Sequence, residues 1–197
     1  DRLAGLDEPA WRRATPAVDF RQFDPQNGEP GTERTDIRIV YDRDSLYLGA
    51  QLSDSDPGGL LGNQMVRDGS LNADDRFIWV LDPFLDLRSG YYFEVNPAGA
   101  MGDAQLVLAT GSTVGTVQNR SWDGIWNARV RRGAGGWTVE VVIPFRTLNF
   151  NPGQTAWGIN FQRTVRRKNE ETLWSGWGRN QGIYQLGAAG RLLGISD

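Results

Sequence analysis

Residues 136–145 read GWTVEVVIPF, and residues 137–143 within them show the clearest alternation of apolar and polar side chains in the chain. Successive side chains of a β-strand point to opposite faces of the sheet. One face of this segment carries Trp137, Val139, Val141 and Ile143. The pattern predicts a strand whose apolar face lies in a core.

A hairpin is predicted upstream of this strand. Ile37, Ile39 and Tyr41 alternate within residues 36–41, and a second alternating run covers residues 45–53. The intervening residues 42–44, with two aspartates, suit a tight turn.

Further short segments with strand character follow at regular spacing, separated by many of the 25 Gly and 9 Pro residues. They cover residues 76–81, 91–96, 104–109, 126–131, 156–165 and 172–177. Roughly eight to ten strands with little helical periodicity predict an antiparallel β-sandwich. We expect a single all-β domain over residues 1–197, with short helical turns at 7–11, near 59–66 and after Pro144.

Two missing residue types restrict the chemistry. The chain has no Cys and no His, which excludes disulfides, thiolate nucleophiles, Ser-His-Asp triads and His-liganded zinc. Catalysis would have to use carboxylates, Lys, Tyr or a hard metal. Glu94 and Glu140 are the candidate carboxylate pair for a glycosidase, although a Glu in the middle of a strand is more simply a residue of the outer face.

The charge distribution does not favour nucleic acid as a partner. The formal net charge is −3, and the only basic clusters are residues 129–132 and 163–168. We interpret both clusters as solvated strand ends and turns rather than as a polyanion site. A direct membrane span is not expected, because the longest apolar candidate, residues 77–85, is interrupted by Asp82 and Pro83.

Several motifs occur in a characteristic order. They are LDEPAW at 6–11, YDRDSLYL at 41–48, DDRF at 74–77 leading to Leu81-Asp82, GWTVEVVIPF at 136–145, WGINF at 157–161 and GRLLG at 190–194. The ordered set resembles the family-9 carbohydrate-binding modules over essentially the whole chain. The resemblance implies a β-sandwich, calcium held by loop carboxylates, and two aromatic rings that grip a terminal sugar.

A second likeness is to poorly characterised bacterial envelope proteins in which such a module precedes a predicted outer-membrane β-barrel. The segments ERT at 33–35, GYYFEVNPAG at 90–99 and WDGIW at 122–126 resemble that group. The likeness implies a periplasmic or extracellular, outer-membrane-associated module, with a C-terminal β-barrel of the same polypeptide as a partner.

Two positions depart from the sugar-binding pattern that the resemblance implies. The first stacking ring should lie just ahead of the Asp-rich strand start, where this chain has Leu71, Asn72 and Ala73. Ala4 also stands where the family usually carries Asp. The first ring and one carboxylate are therefore missing.

Trp174 and Trp177 lie near the expected position of the second ring, and Trp122 flanks a turn at residues 123–124. These three rings are the candidate sugar platforms, with Arg179, Asn180 and Gln181 as nearby hydrogen-bonding groups. The alternative is that the Trp side chains belong to the core, as expected for Trp126.

The acidic loops supply the candidate metal ligands Asp54, Asp56, Asp74 and Asp75. Calcium prefers six to eight oxygen ligands, and carboxylates from loops at one end of a sandwich could provide them. The alternative is a set of solvated turn carboxylates.

Two functional hypotheses follow for this non-catalytic chain. One is a module that binds carbohydrate, or a glycan-like envelope component, with structural calcium. The other is an interaction domain that packs on an outer-membrane β-barrel or a partner protein without binding sugar.

Overall fold

The computed structural model describes residues 9–113 and 115–195, which form two antiparallel sheets. The strands in this part of the chain are β1 Arg21–Asp24, β2 Thr35–Tyr41, β3 Ser45–Ser53, β4 Arg76–Asp82, β5 Gly90–Val95, β6 Met101–Leu108, β7 Thr116–Asn119, β8 Asn127–Gly133, β9 Gly136–Pro144, β10 Ala156–Val165, β11 Glu170–Leu173 and β12 Gly190–Leu193. The predictions on Ala4, Asp7 and Glu8 lie outside the described residues.

The smaller sheet has the strand order β2-β3-β9-β8, and the larger has the order β1-β11-β10-β4-β5-β6-β7, with β12 also paired to β10. The predicted hairpin is confirmed as β2 and β3. Its turn is closed by Asp42, whose backbone N–H donates to Ser45 O at 3.1 Å and whose side chain accepts the Asp44 and Ser45 N–H groups.

Helical structure in the described residues is short. One α-helix covers Pro9–Arg13, and 3₁₀ turns cover Pro57–Gly59, Phe145–Thr147, Arg166–Lys168 and Leu186–Ala188. None of these helices is long and apolar enough to cross a membrane.

The core lies between the two sheets. The predicted inward face of β9 is confirmed, because Trp137, Val139, Val141 and Ile143 are all at most 1% exposed. From the larger sheet, Trp79 stacks on Phe93 at 5.3 Å and meets Trp126 edge-on at 5.4 Å. Removing this apolar surface from water at one shared interface holds the sheets together.

The larger sheet is also covered on its outer face. Ile78, Val80 and Tyr92 on that face form a second apolar cluster with Ile183 and Leu186 from the segment after β11. This layer explains why every residue of β5 is buried, whereas a two-layer sandwich would leave alternate residues in water.

Three short strands are not predicted from the sequence, and one predicted strand is misplaced. β1, β7 and β12 have only four residues each, which is too short for alternation to reveal them. The strand predicted over residues 172–177 is instead β11, which ends at Leu173, and the chain then turns through Gly176 at φ +65°.

Candidate functional site

A hollow of about 240 Å³ opens on the outer face of the larger sheet. Its floor is built by five neighbouring strands, β1, β11, β10, β4 and β5. Leu173, Gln162 and Ile78 lie side by side in register across these strands, and their side chains therefore share one face. The floor thus combines apolar surface with an amide that can both donate and accept hydrogen bonds.

One wall of the hollow is formed by residues 181–184. Tyr184 stacks on Tyr92 with ring centroids 5.9 Å apart and an interplanar angle of 10°. The Tyr184 hydroxyl accepts a hydrogen bond from Gln118 Nε2 at 2.8 Å, and its carbonyl accepts one from Thr116 Oγ1 at 2.7 Å. Tyr184 is held in place by these contacts while remaining 40% exposed.

A buried charge network lies beside this wall. Glu94 is 1% exposed and accepts hydrogen bonds from the Tyr92 hydroxyl at 3.0 Å and from Arg120 Nη2 at 3.0 Å, with Arg76 Nη1 at 3.4 Å. Burial raises the pKa of Tyr184, and the nearby Glu94 charge raises it further. At neutral pH the wall therefore presents a neutral phenol ring.

Asn72 occupies the rim where the family resemblance implied a stacking ring. Its Oδ1 accepts a hydrogen bond from Arg76 Nη1 at 2.8 Å, and both residues line the hollow. The rim at this point is polar and hydrogen-bonded.

The structure places the three candidate Trp side chains differently. Trp174 packs against the core with its ring 5.7 Å from Phe161, and Trp122 packs on the core residue Tyr91 at 4.9 Å. Trp177 is 38% exposed and lies under the Arg21 guanidinium at 5.6 Å.

Trp177 lies beside β1, the edge strand of the larger sheet. Arg21, which covers it, pairs in register with Leu173 of the hollow floor. Trp177 therefore flanks the hollow on the β1 side.

The three polar residues predicted to contact sugar, Arg179, Asn180 and Gln181, do not lie together in the structure. Gln181 lines the hollow, and its Oε1 accepts the Gly178 N–H at 3.3 Å. Arg179 instead pairs with Asp24 at 3.7 Å, and the Asn180 carbonyl accepts a hydrogen bond from Gln185 at 2.6 Å.

The four candidate calcium ligands do not converge. Across residues 9–113 and 115–195, no group of three or more acidic side chains is placed to hold a metal ion. Asp74 accepts hydrogen bonds from the backbone N–H groups of Asn63 and Gln64, both at 2.9 Å. These bonds outweigh the effect of burial and lower the pKa of Asp74.

The other three candidates have separate surroundings. Asp75 accepts from the N–H groups of Leu61 at 2.6 Å and Arg166 at 2.7 Å. Asp54 is paired with Arg167, and Asp56 is exposed. The donor set present in the structure therefore does not fit a calcium site, because Asp74 and Asp75 each accept backbone N–H groups and Asp54 faces the cations Arg163 and Arg167.

Glu94 and Glu140 cannot act together on one glycosidic bond. Glu94 alternates with the inward-facing Phe93 and Val95, and Glu140 alternates with the inward-facing Val139 and Val141. The two carboxylates therefore lie on opposite outer faces of the sandwich, whereas a glycosidase needs its two carboxyl groups within roughly 5–10 Å of each other.

Several residues of the hollow were not identified from the sequence. Their spacing in the sequence does not indicate a shared site, because they come from four separate segments: Arg76, Tyr92, Gln162 and Tyr184. One signal was available: residues 77–81 read FIWVL, a continuous apolar run that is typical of a strand covered on both faces.

Comparison with known proteins identifies the architecture. No protein-family model matches the chain, and no curated protein sequence matches it. Among solved structures, a family-9 carbohydrate-binding module from Caldicellulosiruptor kristjanssonii in complex with glucose superposes with a TM-score of 0.66 and 14% identity, covering 99% of this chain and 92% of that one.

Two further structures superpose similarly. The complex of a family-9 module from the same organism with cellotriose has a TM-score of 0.64 and 13% identity over 96% of this chain and 88% of that one. A protein from Bacteroides uniformis, described as a candidate carbohydrate-binding protein, has a TM-score of 0.64 and 18% identity over 89% and 86%. The chain therefore has the β-sandwich fold of the family-9 carbohydrate-binding modules.

Proposed function

We propose that this protein is a non-catalytic module that binds carbohydrate in the hollow on the outer face of its larger sheet. The observation that carries the proposal is the combination of an exposed, immobilised Tyr184 ring with amide and charged groups around a concave floor. Sugar C–H groups pack on aromatic faces, while hydroxyl groups need hydrogen-bonding partners of both kinds. The sugar complexes of proteins with the same fold support it.

The site offers specific partners for a sugar ring. Tyr184 provides a stacking surface from the wall, and Gln162 and Gln181 provide amide groups. Glu171, which is partly exposed at the same hollow, provides an acceptor. The hollow is smaller than the ~300–1,000 Å³ typical of pockets for drug-sized ligands, which suits a single sugar ring.

A second hollow of about 210 Å³ shares the Asn72 side of the site and is also lined by Ser70 and Arg120. A sugar bound over Tyr184 could therefore continue past Asn72 into this second hollow. We propose that the ligand is an oligosaccharide that uses both hollows.

Titration calorimetry tests the proposal with glucose and cellotriose as the probes. We expect cellotriose to bind more tightly than glucose. Tyr184→Ala should weaken binding about tenfold or more, because it removes the stacking surface. Trp177→Ala should weaken binding less, because Trp177 only flanks the hollow.

Tyr41→Ala is the matched control. Tyr41 is 42% exposed and its hydroxyl is also hydrogen-bonded, to the Gly194 carbonyl, but it does not line the hollow. If a broad glycan array shows no binding, or if Tyr184→Ala binds as well as the wild type, the proposed site is wrong.

We also propose, from the sequence resemblance alone, that the module works at the bacterial cell envelope, in the periplasm or outside the cell. The predicted C-terminal β-barrel partner is part of the same proposal.

A further inference from the structure

A cluster of five buried or half-buried charged residues lies at the end of the sandwich where the acidic loops meet. We define this charge cluster as Glu33, Asp54, Arg163, Arg167 and Lys168. Glu33 precedes β2, Asp54 follows β3, and the three cations come from β10 and the 3₁₀ turn after it. The basic run at residues 163–168, predicted to be solvated, instead meets the acidic loops, and Arg163 is only 1% exposed.

The two outer cations of the charge cluster bind its carboxylates directly. Arg167 Nη2 contacts Glu33 Oε1 at 2.8 Å and also contacts Asp54 Oδ1. Lys168 Nζ contacts the same Glu33 Oε1 at 2.6 Å and also Thr32 Oγ1 at 2.8 Å. Both carboxylates thus have positive partners from the chain itself.

Arg163 fills a cradle made of oxygen atoms. Its Nη2 donates to the Ser53 carbonyl at 2.7 Å and lies 3.6 Å from Asp54 Oδ2. Its Nη1 donates to the Arg34 carbonyl at 3.0 Å and to Thr35 Oγ1 at 3.3 Å. Two backbone carbonyls, a hydroxyl and a carboxylate are the kind of ligands that a hard divalent cation takes in proteins.

We propose that the guanidinium and ammonium groups of the charge cluster take the place of a divalent cation at this end of the fold, so that the sandwich is stable without calcium. A calcium ion entering the cradle would have to displace the Arg163 guanidinium and would face the positive charges of Arg167 and Lys168. A buried guanidinium keeps its charge under all ordinary conditions, and the internal counter-charge is therefore permanent.

We expect the thermal unfolding midpoints of the wild type and of a variant without Arg167 and Lys168 to respond differently to calcium. In wild type, thermal unfolding midpoints in about 5 mM calcium chloride and in excess chelator should agree within about 1 °C, even though extracellular calcium modules bind with Kd values near 0.1–1 mM. The double variant Arg167→Gln/Lys168→Gln leaves Arg163 in its cradle but frees Glu33 Oε1 and Asp54 Oδ1, the two oxygen atoms that Arg167 Nη2 joins, for a cation beside it. It should be less stable in chelator and should recover at least about 3 °C on adding calcium.

Two further variants serve as controls. Arg167→Lys keeps the positive charge, and we expect its midpoint to be as indifferent to calcium as that of the wild type. Arg146→Gln removes an exposed cation from a different 3₁₀ turn and should leave the calcium response unchanged.

Either of two results would overturn the proposal. One is a wild-type midpoint that falls by more than about 3 °C in chelator, which would show that the fold uses a divalent cation. The other is a double variant that is folded yet ignores calcium, which would show that the cluster carboxylates do not form a site that a divalent cation can fill. The readout is thermal stability, so it does not depend on whether the hollow binds sugar.

Discussion

Glu33 should give the protein a defined loss of stability in acid. Burial by itself would raise the pKa of Glu33, but hydrogen bonds from Lys168, Ser55 and Arg167 outweigh it and lower the pKa from 4.5 to about 2. A carboxyl group whose pKa is lower in the folded than in the unfolded chain stabilises the fold above its unfolded pKa. This contribution is complete above about pH 4.5 and is lost as the pH falls towards about 2.

The size of the effect follows from the shift. Each pKa unit corresponds to about 1.4 kcal/mol, so a pKa of about 2 in place of 4.5 means that the Glu33 carboxylate contributes at most about 3.5 kcal/mol at pH 7. For a chain of this size that corresponds to a fall of about 1 M in the urea midpoint. Glu33→Gln should show this fall at pH 7, and most of the gap should close as the pH falls to about 2, where half of the Glu33 side chains in the folded protein have become neutral.

The assay is urea unfolding followed by Trp fluorescence at several pH values between 7 and 2. Glu29→Gln, which changes an exposed carboxylate, is the control and should alter stability by less than about 0.5 kcal/mol. The reasoning would be refuted if the gap between wild type and Glu33→Gln stayed constant over this pH range. A constant gap would mean that the substitution acts through packing and not through the charge.

Three other substitutions test the fold by thermal or urea unfolding. Gly136→Ala should cost about 2 kcal/mol or more, because Gly136 has φ +125° and an added Cβ would lie 2.1 Å from the Leu52 carbonyl oxygen. Asp103→Ala should cost about 2–3 kcal/mol, since it leaves the buried Trp126 Nε1, now 2.7 Å from the carboxylate, without an acceptor. Leu48→Ala should cost about 2–5 kcal/mol because Leu48 is fully buried between the sheets; a smaller loss would mean that the core collapses around the cavity.

The sequence determined the layered part of the fold. Alternation at residues 137–143 identifies the core face of β9. Successive side chains of a strand point to opposite faces, so a strand with one face towards solvent places every second side chain in the core. The hairpin of β2 and β3 follows from alternation on both sides of a polar turn. These features depend only on neighbours along the chain, which is why they could be predicted without a structure.

Only the tertiary structure shows which residues form the candidate site and which side chains face the carboxylates of the acidic loops. The hollow over Tyr92 and Tyr184 exists because residues 181–184 fold back on the outer face of the larger sheet, a contact between segments far apart in sequence. The sequence makes Asp54 a candidate calcium ligand but does not show which side chains face it. Its actual partners, Arg163 and Arg167, are more than a hundred residues away. A carboxylate's role depends on the charge that faces it, and only the folded chain brings that charge near.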